Sequence, residues 1–339
     1  MNYLMNFAFL IKRPKRAFAF ILLFSQLSFA MAGFDTQKDP SPPFQLIQHA
    51  LDKLDLVIHK EVSNFLYSQN PKKDLFGLAG FDNQDQGHLN CYDGYTVKDF
   101  YQFLGGIGNI APSLQLLGAI GAAESKIDVH PQEAHAHYNS VFSTLGVSGA
   151  FKKFQVGFDL LAGYSFINAK HHHESMGSFK GQHNALSASV ELKGTYKVLE
   201  DKTSLTPYDA ISLFYNKEFD HDDKSQAGYT IKVENETLYA FRNELGFYIN
   251  IPCTKSVDLF IDPSWLYETQ LNSRSYHVTT LPTGSKVSIK QQKLGHNYGR
   301  LNTGFYVKGR RLDFAITYIG LWGRKYSDAS TSLKLNLKL

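Results

Sequence analysis

Cysteine occurs only twice in the 339 residues, at Cys91 and Cys253. That excludes a disulfide scaffold and any cysteine-based zinc cluster. Methionine (4) and tryptophan (2) are also scarce. No Gly-rich phosphate loop and no nucleophile elbow occurs, so nucleotide chemistry and serine hydrolysis lack their usual motifs. The formal charge of +4 is confined to the N-terminus. Residues 1–32 hold Lys12, Arg13, Lys15 and Arg16 and no acid, which leaves 31 basic against 31 acidic residues in the remainder. Without a basic surplus there is no electrostatic case for a nucleic-acid partner. Beyond residue 32 no apolar run is long enough for a transmembrane helix.

The four basic residues precede the apolar run Ala17–Phe29, and Ala30-Met31-Ala32 offers a small-x-small cleavage site. This pattern predicts a secretory signal peptide over 1–32, with Gly33 opening the mature chain. The apolar run is shorter than the roughly 20 residues a membrane anchor requires. The protein is therefore expected to be exported, as a soluble protein or a membrane β-barrel.

Residues 33–72 are read as a short lead followed by a helix. Pro40, Pro42 and Pro43 mark the lead. From 44 to 66 the apolar positions Phe44, Ile47, Leu51, Leu54, Ile58, Val62 and Phe65 recur at steps of three and four, forming one helical stripe. Charges such as Asp52, Lys53, Lys60 and Glu61 lie mostly off it. Asn70-Pro71 closes the segment. Such a helix would be about 35 Å long, enough to cross a barrel lumen.

After residue 73 the hydrophobic period becomes two. Over 186–198, Leu186, Ala188, Val190, Leu192, Gly194, Tyr196 and Val198 share one face, while Ser187, Ser189, Glu191, Lys193, Thr195 and Lys197 share the other. Similar alternation marks 154–166, 257–267, 312–322 and 333–339. The connections alternate in length. Short links at 109–112, 152–153, 200–204, 252–256 and 308–310 are interleaved with longer ones at 128–134, 170–180, 220–237, 272–289 and 324–330. Two-faced strands with alternately short and long links are the signature of an outer-membrane barrel, with short turns periplasmic and long loops extracellular. Eleven strands are read from about 97 onward, and the expected even number puts a twelfth at about 73–87. The predicted fold is all-β, a 12-stranded antiparallel transmembrane barrel over 73–339 preceded by one amphipathic helix. A soluble β-sandwich is the alternative, but its strands are shorter and its apolar faces are buried. Pro263, mid-strand, reads as a bulge or an error of register.

This register directs Glu191, Lys193, Lys197, Arg242, Glu244, Asp258 and Asp262 into the lumen. It sets Tyr164, Tyr196, Trp265, Tyr267, Tyr318 and Trp322 at the membrane–water boundaries, where rings with a polar tip are favoured. The lipid bilayer is thus the expected partner. The histidines His130, His135, His137 and His171–His173 are expected to gather at the extracellular rim. There they could bind Zn²⁺ or Cu²⁺, act as a charge switch, or lie solvated in a loop. No resident metal or cofactor is expected, and no catalytic residue. Cys91 in an outer loop and Cys253 in an inner turn are too far apart to pair.

The segments Gly181–Val198 leading into Ser204-Leu-Thr-Pro-Tyr208, then Arg242-Asn-Glu-Leu-Gly-Phe247, Asn297–Gly304, Gly323-Arg-Lys-Tyr-Ser and Ser332–Leu339 resemble the autotransporter β-domain. Within it they are similar to the version found in chlamydial polymorphic outer-membrane proteins. The resemblance spans roughly 95–339. It implies a twelve-stranded barrel with a helix in the pore before the first strand, insertion by the barrel-assembly machinery, and delivery of an N-terminal passenger to the cell surface. Two departures stand out. Only residues 33–43 separate the cleavage site from the helix, and the chain ends in Leu339 where the family usually ends in an aromatic residue. The function expected is a translocator or porin-like pore of the outer membrane with a vestigial passenger. The alternative is an adhesin-like surface barrel whose loops 170–180, 220–237 and 272–289 bind host or envelope partners. A third reading, an outer-membrane hydrolase, rests on Gly295-His296-Asn297-Tyr298-Gly299, which is similar to the His-x-Ser-Asn-Gly stretch of outer-membrane phospholipase but has no serine in the matching place.

Overall fold

The computed structural model describes residues 44–66, 74–87, 94–130, 134–173, 177–200, 203–272, 275–281, 284–290, 297–324 and 326–339. The signal peptide and lead expected over 1–43, together with Cys91, Gly295 and His296, lie outside the described residues.

Helix α1 (Phe44–Leu66) comes first, followed by β1 (Asp74–Gln86), β2 (Gly94–Ala111), β3 (Leu114–His130), β4 (Ala134–Phe151), β5 (Phe154–His173) and β6 (Gly177–Tyr196). Next are β7 (Leu199–Glu200), β8 (Ser204–Glu218), β9 (His221–Ser225), β10 (Thr230–Val233), β11 (Glu236–Pro252) and β12 (Val257–Gln270). The chain finishes with β13 (Ser275–Leu281), β14 (Ser285–Lys290), β15 (Asn297–Val307), β16 (Leu312–Gly323) and β17 (Tyr326–Lys338). Among the described residues, α1 is not long and apolar enough to cross a membrane; crossing by strands is a separate matter.

Twelve of the strands close a barrel: β1 to β6, β8, β11, β12, β15, β16 and β17, all antiparallel neighbours. Closure is made by β1, which pairs with β2 on one side and β17 on the other, from Asp74↔Lys338 to Gln86↔Tyr326. A closed sheet leaves no unpaired edge, which is what lipid demands of β-structure. The strand expected at about 73–87 is β1.

Alternation along the strands sorts residues between the two surfaces. In β4 burial alternates over most of the strand. Leu104 and Ile120, paired across β2 and β3, are each 70% exposed. Leu145, Leu192, Leu213, Leu245, Phe305, Ile316 and Leu335 are also exposed, on strands all round the barrel. Exposed apolar surface costs about 25 cal/mol per Å² in water, and soluble monomers keep such patches small. A belt of this extent is favourable only against hydrocarbon.

The links 112–113, 152–153, 253–256 and 308–311 lie at one end, here called the inner end. At the other end β3–β4, β5–β6 and β16–β17 are joined by links just as short, so most of each longer connection expected at 128–134 and 170–180 belongs to strands. Lys152 takes φ 56°, in the left-handed region, to make the two-residue turn between β4 and β5. At the outer end, the stretches 220–237 and 272–289 are not simple loops. They contain β9, β10, β13 and β14, which pair in that order and continue the sheet beyond the barrel from β6. The expected loop 324–330 is corrected as well: Gly323 pairs with Tyr326, and 327–330 belong to β17. Ser327, Asp328 and Ser330 read as loop residues, yet Asp328 and Ser330 face a polar interior, where strands tolerate them. Pro263 is neither a bulge nor a register error. The β11–β12 ladder skips Phe247 and Tyr248 and resumes in the same register at Ile249↔Ile261, while Pro263↔Leu301 continues unbroken on the other side. The missing N–H costs ladder bonds without displacing the strand.

Candidate functional site: the filled lumen

The barrel interior holds α1. Over residues 50–61 every side chain of the helix is buried. Its partners come from both halves of the barrel wall, and the wall differs between them.

On the β1–β5 side the wall packed on the helix is mainly apolar, although Asp82, Asp99 and Asp159 are buried in β1, β2 and β5. Ala50, Leu51, Leu54, Val57 and Ile58 join one cluster with Phe76, Leu78, Tyr101, Phe103, Leu117, Ala119, Phe142 and Leu161. Leu51, Leu54 and Ile58 of the helical stripe read from the sequence pack here. A water-lined lumen would not favour such a stripe, but a half-apolar wall does.

On the β6–β17 side the wall is charged. Arg242 is 1% exposed and meets three carboxylates. Its Nη1 donates to Asp55 Oδ2 at 2.9 Å, its Nε donates to Glu268 Oε2 at 3.1 Å, and its Nη2 reaches the Asp52 carboxylate and carbonyl. The guanidinium also lies over the Phe214 ring. Lys53 Nζ donates to both oxygens of Glu268 at 2.9 Å and sits 4.5 Å from the centre of the Tyr298 ring. Lys60 Nζ is 2.6 Å from Asp262 Oδ2 and 3.3 Å from Glu244 Oε1, and donates to Tyr208 Oη at 2.7 Å. Glu244 also pairs with Arg300. Glu61 pairs with Lys334 and accepts from Ser332 Oγ at 2.6 Å and Thr317 Oγ1 at 3.1 Å. His59 lies 2.5 Å from Ser189 Oγ of β6, which donates to Asp55, and on its other side meets Asp159 of β5. Glycine makes room for one of these groups: a Cβ at Gly246 would lie 2.4 Å from the Tyr208 ring, so the bare backbone lets the phenol lie flat and reach Lys60.

These contacts fix the helix direction. Lys53, near its start, meets Glu268, two residues from the outer end of β12. Glu61, near its end, meets Lys334, four residues from the inner end of β17. The helix N-terminus therefore points to the outer mouth and its C-terminus to the inner end, where β1 begins.

Among the lumen charges expected from sequence, Arg242, Glu244 and Asp262 contact α1 directly. Asp258 is buried near the inner end, 2.6 Å from Lys308. Lys193 is buried 4.3 Å from the centre of the Tyr208 ring, and half-buried Glu191 pairs in register with Asp159. Lys197 is different: β6 ends at Tyr196, so Lys197 lies in the inner turn, its backbone N–H bonded to the Lys153 carbonyl. The polar alternation simply outruns the strand there. Asp159, Glu268, Arg300 and Lys334 were not singled out from sequence, although each occupies an inward position of its strand.

All six boundary aromatics sit on the outward parity of their strands. Trp265, Gly299 and Trp322 are consecutive partners across β12, β15 and β16, so the two tryptophans share one row toward the outer end. Tyr267 lies 6.2 Å from Trp265, ring to ring, and Tyr196 lies 4.6 Å from Phe154 at the inner end. Tyr164 packs edge-on against Phe166, and Tyr318 is four residues deeper than Trp322 on β16.

Among the described side chains, His135, His137 and His171 do not assemble as a ligand set; those of His130, His172 and His173 lie outside the described residues. His135 is exposed and bonded to Asp128 at 2.7 Å. His171 stacks on Phe179. At the outer rim, the Asp128 carboxyl is held below the usual carboxylate range: partial burial opposes this, but hydrogen bonds from His135 and Lys126 prevail. A different pair, His183 and His221, stacks with ring centres 3.8 Å apart beside Glu218. Nearby, burial pushes the Asp223 carboxyl up to about 6, opposed by His183 and assisted by Glu218 and Asp222. Cys253 is an exposed free thiol in the inner turn after β11.

The fold is similar to the translocator domain of the autotransporter NalP from Neisseria meningitidis, with a TM-score of 0.73 at 14% identity over 86% of this chain and 97% of that one. The β-domain of the Bordetella autotransporter BrkA gives a TM-score of 0.57 at 12% identity over 79% and 100% of the two chains. The Ralstonia pickettii toluene transporter TbuX gives 0.52 at 8% identity over 80% and 90%. No protein-family model and no curated protein matches the sequence. The chain thus has the fold of autotransporter translocator domains, a fold shared with an outer-membrane hydrocarbon transporter.

Proposed function

We propose that this chain is an outer-membrane autotransporter-type barrel, a translocator or pore with a vestigial passenger, and that α1 is its plug. The observation that carries this reading is the direction of α1. A helix running from the outer mouth to the inner end puts its N-terminus, at Phe44, in the outer mouth. That is the mouth a passenger leaves by after crossing its own barrel. In this reading the chain is a conduit and performs no catalysis. The barrel-assembly machinery is its route into the bilayer, and the outward aromatics form its boundary girdles.

Two measurements test this. An epitope inserted before residue 44 should be reached by antibody on intact cells; labelling only after permeabilisation would overturn the direction of delivery. Deleting 44–66 should raise single-channel conductance in planar bilayers, and unchanged conductance would overturn the plug.

One feature favours a surface role in addition. The sheet formed by β9, β10, β13 and β14 stands beyond the barrel at the outer end and offers backbone and side chains to an extracellular partner. Loss of cell adhesion on replacing 220–235 with a short turn, with the barrel intact on an unboiled gel, would support that role.

A further inference from the structure

We propose that the outer rim carries a zinc site built from His183, Glu218 and His221, with Asp223 as the fourth donor. It is independent of the lumen helix and of any transport role.

The topology gathers these residues. At its outer end β6 pairs first with β8 and then with β9, so the chain stays beside β6 as it passes from Glu218 to Asp223. His183 projects from β6 on the inward, buried parity, as do Phe179 and Gly181. Glu218 closes β8, and His221 and Asp223 alternate onto the same side of β9. Ligand atoms of His183, Glu218 and His221 lie within 4.8 Å of one another.

The side chains are deeply buried, with relative exposures of 0% for His183, 2% for Glu218, 2% for His221 and 1% for Asp223. Yet their polar atoms are poorly satisfied. Both ring nitrogens of His183, both oxygens of Glu218, Nε2 of His221 and Oδ1 of Asp223 lack a hydrogen bond of acceptable geometry. Buried polar atoms short of partners cost free energy, and three such side chains converging on one point, with Asp223 beside His221, call for a shared partner.

The tautomer of His221 is set for coordination. Its Nδ1 lies 3.2 Å from the Phe219 carbonyl oxygen, which can only accept, so Nδ1 carries the proton. Nε2 is left with its lone pair directed at the cluster, the arrangement in which a backbone carbonyl orients a metal-bound imidazole.

The donor spacings fall on either side of what a small tetrahedral ion requires, so the ion would spread the His183–Glu218 pair and draw in Asp223. His183 Nε2 and Glu218 Oε1 are 2.6 Å apart, and His221 Nε2 and Asp223 Oδ1 are 3.6 Å apart. Tetrahedral zinc with bonds of about 2.0–2.1 Å places its donors about 3.3 Å apart. Two imidazoles and two carboxylates favour Zn²⁺ over Ca²⁺ or Mg²⁺, which take oxygen donors. Gly181 supplies the space: a Cβ there would lie 1.6 Å from Asp223 Oδ1. Bound metal would tie β9, and through it the β9–β10 hairpin, to the barrel wall at β6.

The test uses the untagged full-length chain, folded in detergent micelles and stripped with chelator. Calorimetric titration with ZnCl₂ should give one equivalent of saturable binding, and CaCl₂ none. His183→Ala, His221→Ala and Glu218→Gln should each weaken zinc binding at least tenfold while keeping the folded migration on an unboiled gel. His135→Ala and the double variant His172→Ala/His173→Ala should leave it unchanged. Absence of saturable zinc uptake by the parent protein would overturn the site, a result that does not depend on any variant folding. So would uptake that survives His183→Ala but is lost in the His172→Ala/His173→Ala variant.

Discussion

Replacing Arg242 with alanine should loosen α1 without unfolding the barrel. The guanidinium faces Asp52, Asp55 and Glu268, all buried, and without it Lys53 stays beside Asp52 and Glu268 and His59 beside Asp55. Breaking a buried charge pair from one side costs about 3–5 kcal/mol, because the buried carboxylates lose their shared cation without regaining water. Two of the three belong to the helix, so undocking α1 relieves most of the penalty. The barrel ladders contain no hydrogen bond to Arg242 beyond its own backbone. The cost should therefore appear in the docking equilibrium. At about 1.36 kcal/mol per tenfold change, the undocked fraction rises by roughly two to nearly four powers of ten.

Hydrogen exchange read by mass spectrometry on peptides covering 50–61 measures that opening even when it is too rare to see as current. Exchange in α1 should accelerate by that factor in Arg242→Ala, while peptides of β3 to β5 keep their protection. The substitution Arg242→Lys should fall between, since an ammonium cannot span three carboxylates as the guanidinium fork does. Unchanged exchange over 50–61 would refute the reasoning, as would a uniform loss of protection across the barrel.

Three further outcomes follow from single residues. Leu104→Arg, in the exposed apolar belt, should lower barrel stability by up to about 2–4 kcal/mol in reversible unfolding from liposomes, with a smaller loss if position 104 lies near a headgroup region. Lys152→Gly should stabilise the β4–β5 hairpin by roughly 1 kcal/mol, because glycine adopts a positive φ without the Cβ penalty; a lowered unfolding midpoint would contradict the turn geometry. Asp128 titrates below its ordinary value, so its contact with His135 and Lys126 contributes fully above the unfolded carboxylate pKa and is lost as pH falls through the lower folded value. In His135→Ala the Asp128 carboxyl resonance should titrate at higher pH; an unmoved midpoint would remove His135 as a cause.

The wall of this barrel was readable because lipid imposes a strict rule on alternate residues. Leu186, Val190 and Leu192 had to face one way, and the strand count followed from that face. Link lengths were a poorer guide, since β3–β4, β5–β6 and β16–β17 are joined at the outer end by links as short as the inner turns. Stretches freed from that rule were misread. Residues 327–330 look like a loop because a polar lumen removes the demand for apolar residues on the inward parity. The extension strands β9, β10, β13 and β14 leave the bilayer, so their sequence carries no apolar belt to mark them. Inward charges such as Arg242 and Glu244 could be placed on a face, but their partners could not. Asp55 and Arg242 are 187 positions apart, and their meeting depends on the depth and rotation of α1. His183 and His221 escaped notice for the same reason: each stands alone in the sequence, whereas the tract His171–His173 is visible at once.

The two halves of the lumen divide the work of holding α1. Burial of Leu51, Leu54 and Ile58 against β1–β5 supplies attraction, about 1.5–3 kcal/mol for each fully buried side chain, but apolar contact is tolerant of sliding and rotation. The charged half supplies little net attraction, since desolvation offsets most of the Coulomb gain in a buried pair. What it supplies is register. A shift of one turn would carry Lys60 away from Asp262 and Glu244 and leave Arg242 without Asp52 and Asp55, each mismatch costing several kcal/mol. A helix held this way has one seated position and an abrupt release, because leaving the register forfeits several pairs together. The barrel depends on none of these pairs for closure, since β1 is hydrogen-bonded on both edges. Helix and barrel are therefore separable in energy, which is the condition for a lumen that can be vacated while the wall stays intact.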